Sequence, residues 1–461
     1  MPISAAVAVP HPPLIMPEVG KGEEKKIRAT TDAYRKAMRF LASFQPETVI
    51  VLSPHATVYK DYFHISPGMR AHGDFMRFQA PEITIDAKYD LPLVSMISKL
   101  AKESHIEAGT LGEREPQLDH AVMIPLRFLE EEMQGFSIVR IGLSGLTPLM
   151  HYRFGECIKK AVDKLNRRCV VIASGDLSHR MAECSPYGFV KEGPAFDKLA
   201  TNALDTGDFN ALLSIDPKVS EAAAECGLRS YLIMAGALDG KAVESKLLSY
   251  EGPFGVGYAV ATFQVTGDDD QRRFGDAFEE SDRKAAAERK ANEDEYVRLA
   301  RLAVETFVNT RRRAKLPGDL PEALSGQTAG VFVTLYEGGK LRGCIGTISP
   351  MTDSVAEEIF ENAVSAATCD PRFAPVGPNE LSALVYSVDV MGEPESVSSA
   401  ADLDPAAYGV IVEAGEKRGL LLPDLEGVDT AADQIAIARE KAGITPVENV
   451  KLFRFTVTRH Q

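Results

Sequence analysis

In the first half of the chain, short apolar runs alternate with longer segments in which apolar residues recur every three or four positions. The short runs predict buried strands, and the longer segments predict amphipathic helices. The predicted strands are Ala5–Val9, Thr48–Leu52, Ile83–Asp86, Ser137–Leu143, Cys169–Ser174 and Gly257–Val265. The predicted helices are Glu23–Phe44, Leu91–Glu103, Ala121–Glu132, Thr147–Leu165 and Gly227–Leu238. This alternation predicts an α/β domain with a central, mainly parallel or mixed sheet flanked by helices.

The second half has a different pattern, in which strands follow one another more often. It opens with the amphipathic segment "YVRLARLAVETFVNTRR", followed by a hairpin with a turn at Glu337–Gly339. A helix capped by Thr352 or Asp353 comes next. The other predicted elements are the hairpin strands Gly330–Leu335 and Leu341–Thr347, the strands Leu384–Met391, Gly409–Glu413, Gly419–Leu422 and Lys451–Thr458, and the helix Ala431–Ala442. The pattern predicts an α+β domain with a mostly antiparallel sheet.

A highly charged segment separates the two halves. The 29 residues from Asp268 to Tyr296 include 11 acidic and 6 basic side chains, so the segment cannot bury much of its surface. We therefore predict a first domain at 1–266, a charged linker at 267–295, helical toward its C-terminal end, and a second domain at 296–461.

Composition narrows the classes of function. A net charge of −15 argues against binding along a nucleic-acid backbone, which requires clustered lysine and arginine. The six cysteines form no CxxC pair, and a chain of 461 residues needs no disulfides, so we expect a reducing, cytoplasmic setting. We see no secretion signal, and no apolar run approaches the roughly 20 residues of a membrane helix.

Histidines recur where predicted strands end. His11 follows the first strand in "VAVPHPPLI", and His55 follows the second in "VIVLSPHATVY". His179 comes after a third strand in "CVVIASGDLSHR", and His120 precedes a helix in "LDHAVMIPL". Ligand sites in open α/β sheets collect beyond the carboxyl ends of strands, where imidazole can bind a metal or act as a general base. We therefore expect a metal site there.

A carboxylate would complete a familiar metal site. Two histidines and one carboxylate with open positions are typical of non-haem Fe(II) oxygenases. The carboxylate candidates are Glu225 in "SEAAAECGLRS" and Glu251 in "YEGPFGVGY".

Five phrases carry a resemblance to a known family. "HPPLIMPEVG", "VLSPHA", "LDHAVMIPL", "ASGDLSHR" and "YEGPFGVGYA" resemble the LigB-like family of class III extradiol ring-cleavage dioxygenases, to which Memo proteins are related. The resemblance covers roughly residues 1–265. It implies an Fe(II) cofactor, with zinc or another divalent metal as the alternative. It also implies His11 and His55 as metal ligands, His179 as the acid/base and His120 as a contact to substrate oxygens.

The resemblance leaves the third ligand open. In one arrangement, Glu225 joins His11 and His55, and His179 is the base. In the other, which is similar to the Memo version, His179 is itself a ligand and Cys226 lies close by.

Phrases in the second half resemble the AMMECR-type domain over 296–461: "LRGCIGT", "DPRFAPV", "RGLLLP" and "KAGI". Arg342 and Arg372 are candidates for binding an anion or a carboxylate. Cys344 is a further candidate, although the domain's single histidine, His460, lies at its tail, which argues against a Cys–His catalytic pair. The alternative is structural, with Cys344 as a buried small residue and Arg372 in an ion pair with Asp370.

The fused order is similar to proteins called AmmeMemoRadiSam system protein A, which implies a radical-SAM partner protein. Our first hypothesis is an Fe(II)-dependent oxidoreductase of the extradiol dioxygenase type, acting on a small phenolic or related aromatic substrate. The alternative is a metal-binding component, either another kind of enzyme or an adaptor, that works with the radical-SAM partner. A homo-oligomer is compatible with both hypotheses, and we expect neither nucleic-acid nor membrane binding.

Overall fold

A computed structural model describes residues 2–114, 117–183, 185, 187–337, 340–425 and 427–461. The chain divides between Ser281 and Asp282 into two compact units. This division lies within the segment 267–295 that the sequence predicts as a linker. Most of that segment is one helix, Phe274–Asn292, whose charged residues are largely exposed.

The first unit is built on a central sheet. Its strands, with those of two small accessory sheets, are β1 Ile3–Val9, β2 Thr48–Ser53, β3 Phe63–His64, β4 Arg70–Phe75, β5 Ala80–Lys88, β6 Ala108–Gly109, β7 Ser137–Gly142, β8 Cys169–Ser174, β9 Lys241–Glu251 and β10 Tyr258–Asp268. The order in the central sheet is β7-β2-β8-β1-β10-β9. Strands β7, β2, β8 and β1 are parallel, whereas β10 and β9 join antiparallel. The prediction of a mixed, mainly parallel sheet is confirmed.

Helices cover both faces of this sheet. They are α1 Pro17–Gly20, α2 Arg28–Ser43, α3 Leu91–Glu103, α4 His120–Glu130, α5 Pro148–Leu165, α6 Glu192–Thr206, α7 Phe209–Leu213, α8 Pro217–Ala223 and α9 Leu228–Ala237; the helix at the division between the units is α10 Phe274–Asn292. Successive residues of β2 point into two different cores: Ile50 packs with α5 and α9, and Val51 packs with α2 and α4. Because β2 is buried on both faces, its sequence is continuously apolar rather than alternating.

Several elements differ from the sequence prediction. The helix predicted from Glu23 begins as a 3₁₀ turn, Glu23–Ile27, before α2. The strand predicted at Ile83–Asp86 is longer and pairs with β4 in a separate hairpin. The edge strand β9 was not predicted, because its polar and partly exposed residues lack the apolar run of a central strand.

The second unit contains two antiparallel sheets, with strand orders β12-β11-β13-β18 and β14-β17-β15-β16. The strands are β11 Val331–Glu337, β12 Lys340–Gly346, β13 Leu384–Met391, β14 Glu395–Val397, β15 Gly409–Ala414, β16 Lys417–Leu421, β17 Lys451–Phe455 and β18 Val457–His460. The helices are α11 Glu295–Thr310, α12 Glu322–Ser325, α13 Val355–Thr368 and α14 Ala431–Lys441. The α+β prediction is confirmed.

Local details of the second unit depart from the prediction at two places. Ser354 caps α13, because its side chain accepts a hydrogen bond from the Glu357 amide. The last predicted strand is divided into β17 and β18. The tip of the predicted hairpin turn, Gly338 and Gly339, lies outside the described residues. Among the helices that the structure describes, none has both the length and the apolar character to cross a membrane.

Candidate metal centre

Three neighbouring strands deliver the predicted histidines to one edge of the sheet. His11 follows β1, His55 follows β2, and His179 follows β8, which lies between them. The Nε2 atoms of His11 and His55 are 3.1 Å apart. His11 is buried, whereas His55 is exposed, so the pair is open to solvent on the His55 side.

Cys226 completes the group from the start of α9. Its Sγ lies 3.6 Å from His11 Nε2 and 4.0 Å from His179 Nε2. The ligand atoms of His11, His55 and Cys226 all lie within 4.8 Å of one another. Metal–nitrogen bonds of about 2.0–2.1 Å and metal–sulfur bonds of about 2.3 Å place tetrahedral N and S ligands ~3.5 Å apart. The observed separations therefore fit one transition-metal ion.

Protonation also suits metal binding at His11. Its Nδ1 lies 3.1 Å from Ser174 Oγ, and the tautomer that donates this hydrogen bond leaves a lone pair on Nε2. Burial lowers the pKa of His11, which disfavours the charged form. A neutral imidazole with its lone pair toward His55 and Cys226 is the form that binds a metal.

Two glycines allow Cys226 to reach this position. A Cβ atom on Gly175 would lie 2.2 Å from Cα of Gly227, so only glycine lets the end of β8 approach the start of α9 so closely. The two segments are then joined by hydrogen bonds from the Cys226 amide to the Asp176 carbonyl, 3.3 Å, and from the Asp176 amide to Cys226 Sγ, 3.2 Å.

Asp176 is the carboxylate that the structure adds to the histidine group. Its Oδ1 accepts a hydrogen bond from the His11 amide at 2.8 Å, and its Oδ2 lies 3.9 Å from His179 Nε2. Burial alone would raise the pKa of Asp176, but the neighbouring rings of His11 and His179 and the hydrogen bond from the His11 amide lower it overall. Asp176 is not among the site residues that the sequence indicated, although it stands three residues before His179.

His120 lies against the other two rings. Its ring centroid is 4.3 Å from that of His55 and 5.4 Å from that of His11. Burial, with the nearby His11 and His55, lowers the pKa of His120 to about 4. The ring is therefore neutral at physiological pH and can exchange a hydrogen bond with a bound molecule.

Neither predicted glutamate joins the group. Glu225 Oε1 accepts from Ser220 Oγ, and its Oε2 accepts from the Leu228 amide, each at 2.7 Å, so this carboxylate caps α9. Glu251 Oε1 accepts from both the amide and the hydroxyl of Thr30 at 2.6 Å, at the start of α2. Both carboxylates are thus held away from the histidines, whereas Cys226 lies beside them. The reason is that helix N-termini leave amide groups that both carboxylates satisfy.

The two candidate arginines of the second unit each bind a carboxylate. Arg342 donates to both oxygens of Glu380, at 2.7 and 3.2 Å. Arg372 binds Asp370, whose Oδ2 also accepts from the Cys344 amide at 2.9 Å. This geometry corresponds to the structural alternative considered for Arg372.

The sulfur of Cys344 has a single described hydrogen-bond partner, since it accepts from Thr334 Oγ1 at 3.3 Å. Burial raises the pKa of this thiol. The neighbouring Gly343 has a packing role, because a Cβ there would lie 2.2 Å from the Ala366 carbonyl at the end of α13. Gly343 therefore allows the backbone of α13 to pack directly against β12.

Comparisons with known proteins cover both units. The family model "Catalytic LigB subunit of aromatic ring-opening dioxygenase" matches residues 5–261, and the AMMECR1 model matches residues 297–460. Protein CA_C1420 of Clostridium acetobutylicum is 40% identical over 478 residues, covering 100% of both chains.

Two solved structures are similar to parts of the chain. An uncharacterized protein of Pyrococcus horikoshii, PH0010, covers 36% of this chain and 88% of its own, with 34% identity and a TM-score of 0.34. An uncharacterized protein of Escherichia coli K12, JW3007, covers 56% of this chain and 99% of its own, with 13% identity and a TM-score of 0.40.

The two family models lie side by side along the chain, and the Clostridium relative shares its full length. The chain therefore belongs to the family of the catalytic LigB subunit of aromatic ring-opening dioxygenases, and it carries an AMMECR1 domain after its LigB domain.

Proposed function

We propose that the first unit is a metal-dependent oxidoreductase acting on a small, oxygen-bearing aromatic molecule, with a transition metal held by His11, His55 and Cys226. The observation that carries the proposal is the convergence of two imidazole nitrogens, 3.1 Å apart, with the Cys226 sulfur 3.6 Å from one of them. A set of two imidazoles and a thiolate suits iron, copper or zinc better than magnesium or calcium. The membership in the LigB family supports redox chemistry on an aromatic molecule.

The chain's own residues have separable roles in this proposal. When bound, the metal would supply a Lewis acid and redox centre. His179 is suited to hold or move a substrate proton, because its side chain is 22% exposed and its Nε2 lies 3.9 Å from Asp176 Oδ2. The neutral ring of His120 would orient an oxygen of the bound molecule. The exposed side of His55 gives the molecule its entry.

Cys226 is also the observation that favours a second candidate function. Non-haem iron oxygenases of the two-histidine type use a carboxylate as the third ligand, and a cysteine occupies that place here. A metal-binding component that works with a radical-SAM partner, without opening aromatic rings, is therefore the alternative. The order of the two domains supports the radical-SAM partner. Cys226 supports a chemistry other than ring opening.

Metal analysis after anaerobic purification tests the site. We expect about one equivalent of a transition metal in the wild-type protein and none in the double variant His11→Ala/His55→Ala. His72→Ala is the matched control, because His72 is exposed and pairs with Asp86 in the hairpin of β4 and β5, so it should keep the metal. If the wild type neither retains nor rebinds a metal, the proposal fails.

Oxygen uptake then separates the two candidate functions. Catechol-type molecules added to the metal-loaded protein should cause oxygen consumption that His179→Ala slows, because proton transfer would be lost. A metal-loaded protein that consumes no oxygen with any of them would instead favour the second candidate.

A further inference from the structure

We propose that Ser53 and Asp119 are positioning residues of the metal centre, holding His55 and His120 in place through one hydrogen-bonded relay. The inference rests on the proposed function and deepens it, because it names the residues that hold the exposed ligand His55 and its neighbour His120.

The relay starts at a single carboxylate oxygen. Asp119 Oδ1 accepts from Ser53 Oγ at 2.7 Å and from the Val122 amide at 3.2 Å. The Ser53 hydroxyl oxygen accepts in turn from the His55 amide at 3.1 Å. Asp119 therefore fixes the turn that carries His55, and it also caps the helix on which His120 is the first residue.

The buried guanidinium group of Arg140 lies beside the Asp119 carboxylate. Arg140, in the middle of β7, has a side chain that is only 4% exposed, and its Nη2 lies 3.4 Å from Asp119 Oδ2. Its Nη1 donates to the Gln117 carbonyl at 2.9 Å. A buried arginine, even on this edge strand of the sheet, has a high desolvation cost, which is offset only if its partner is well placed. The pair therefore fixes the carboxylate from which the relay begins.

Asp119 supports His55 and His120, whereas a different aspartate, Asp176, lies against the other half of the centre. His11 and His179 lie against Asp176, and Cys226 is bonded to the same segment. His55, by contrast, is exposed, and its described hydrogen bonds are with Ser53 and with the His11 ring. Without Ser53, little else in its own turn would keep its ring toward His11. Outer partners of metal ligands commonly contribute about 10- to 100-fold to metal affinity.

A serine pair in the same unit allows a matched test. Ser53 and Ser144 are both fully buried, and each hydroxyl oxygen accepts from the amide two residues later. For Ser144 that amide belongs to Leu146 rather than to a site histidine. Ser53→Ala and Ser144→Ala thus remove the same group from similar turns, one linked to the centre and one not.

The measurement is the dissociation constant for Co²⁺ of the full chain, determined by competition with a chelator, together with the urea stability of the metal-free protein. We expect Ser53→Ala to weaken Co²⁺ binding about 10- to 100-fold, while Ser144→Ala changes it less than about twofold. The thiolate-to-Co²⁺ absorption band should persist in both variants, because Cys226 is untouched. Asp119→Asn keeps an acceptor oxygen but loses its charge, so we expect an intermediate loss.

Each outcome decides between positioning and a merely structural role. Equal Co²⁺ affinity in Ser53→Ala and Ser144→Ala would overturn the inference, and so would a loss of metal-free stability without a change in affinity. If Ser53→Ala does not fold, the comparison of Asp119→Asn with Ser144→Ala decides in the same way. Failure of the proposed function looks different, since the wild-type chain would then not bind Co²⁺ at all.

Discussion

Cys226 in the first unit and Cys344 in the second both lie beside an aspartate, but their sulfur atoms meet different partners. The sulfur of Cys226 faces the Nε2 atoms of His11 and His179, and burial raises the pKa of its thiol. The sulfur of Cys344 accepts a hydrogen bond from Thr334 instead. The comparison shows that a buried cysteine becomes a metal-ligand candidate when imidazole nitrogens converge on its sulfur, whatever its backbone surroundings.

The charged pairs of the two units differ in how far their arginine side chains are buried. Arg140 and Asp119 lie buried beneath the histidines, with side chains 4% and 12% exposed. Arg372 is 54% exposed and covers Asp370. Both charges of the first pair lie in the interior, where they must be matched, whereas in the second pair Asp370 is buried and only the arginine is open to water.

The largest expected effect comes from breaking the buried pair. Arg140→Met should lower the free energy of unfolding of the first unit by about 3–5 kcal/mol, because it leaves the Asp119 carboxylate buried without its partner charge. Urea unfolding measures the loss. The double variant Arg140→Met/Asp119→Asn should recover part of it. A loss below about 1 kcal/mol would show that water reaches this pair and would remove the contrast with Arg372.

A histidine outside the metal centre provides an internal reference for the site histidines. His151 is fully buried in α5, its Nδ1 lies 2.9 Å from the Thr147 carbonyl oxygen, and burial lowers its pKa to about 4. Since the unfolded chain binds this proton near about pH 6.5, the contribution of His151 to stability is complete above that pH. It is lost as the pH falls toward the folded-state pKa of about 4. The loss should be about 3 kcal/mol.

The difference in unfolding free energy between wild type and His151→Gln, measured from about pH 7 to about pH 4, checks this value. The variant should lose less stability than the wild type over that range. His72→Gln, at an exposed position, should follow the wild-type profile. Parallel profiles for wild type and His151→Gln would mean that His151 takes up its proton in the folded protein.

The smallest effect should come from the pair of Arg372 and Asp370, in which the arginine is exposed. Arg372→Ala should lower the free energy of unfolding of the second unit by about 1 kcal/mol or less, because water can solvate the uncovered Asp370. Asp370 would still accept from the Cys344 amide. Urea unfolding measures this loss, with Arg372→Lys as the control variant. A loss as large as that of Arg140→Met would make the two pairs equivalent.

The sequence predicted the central strands well because burial on both faces requires continuous apolar runs, and β8, Cys169–Ser174, has the predicted bounds. The position of His11 and His55 at strand ends followed from the same runs. Strand β9 could not be found in this way, since an edge strand tolerates polar residues on its outer side. Helix α6 was also missed, as its buried face includes small and acidic residues such as Gly193 and Asp197.

The site was predicted less completely than the fold. Glu225 and Cys226 are adjacent, and sequence alone does not say which side chain turns toward the histidines. That choice is made by Ser220 and the Leu228 amide, which bind the Glu225 carboxylate, and by Gly175, which admits the α9 start. Such contacts depend on how the chain places segments beside one another, which the local pattern of apolar residues does not encode.

The most direct test of the account is the Co²⁺ dissociation constant of Cys226→Ala, measured beside Cys344→Ala and Glu225→Gln. We expect Cys226→Ala to weaken binding by at least about a hundredfold, since outer partners alone contribute about 10- to 100-fold. Cys344→Ala and Glu225→Gln should bind Co²⁺ as the wild type does. Loss of binding in Glu225→Gln together with normal binding in Cys226→Ala would contradict the account.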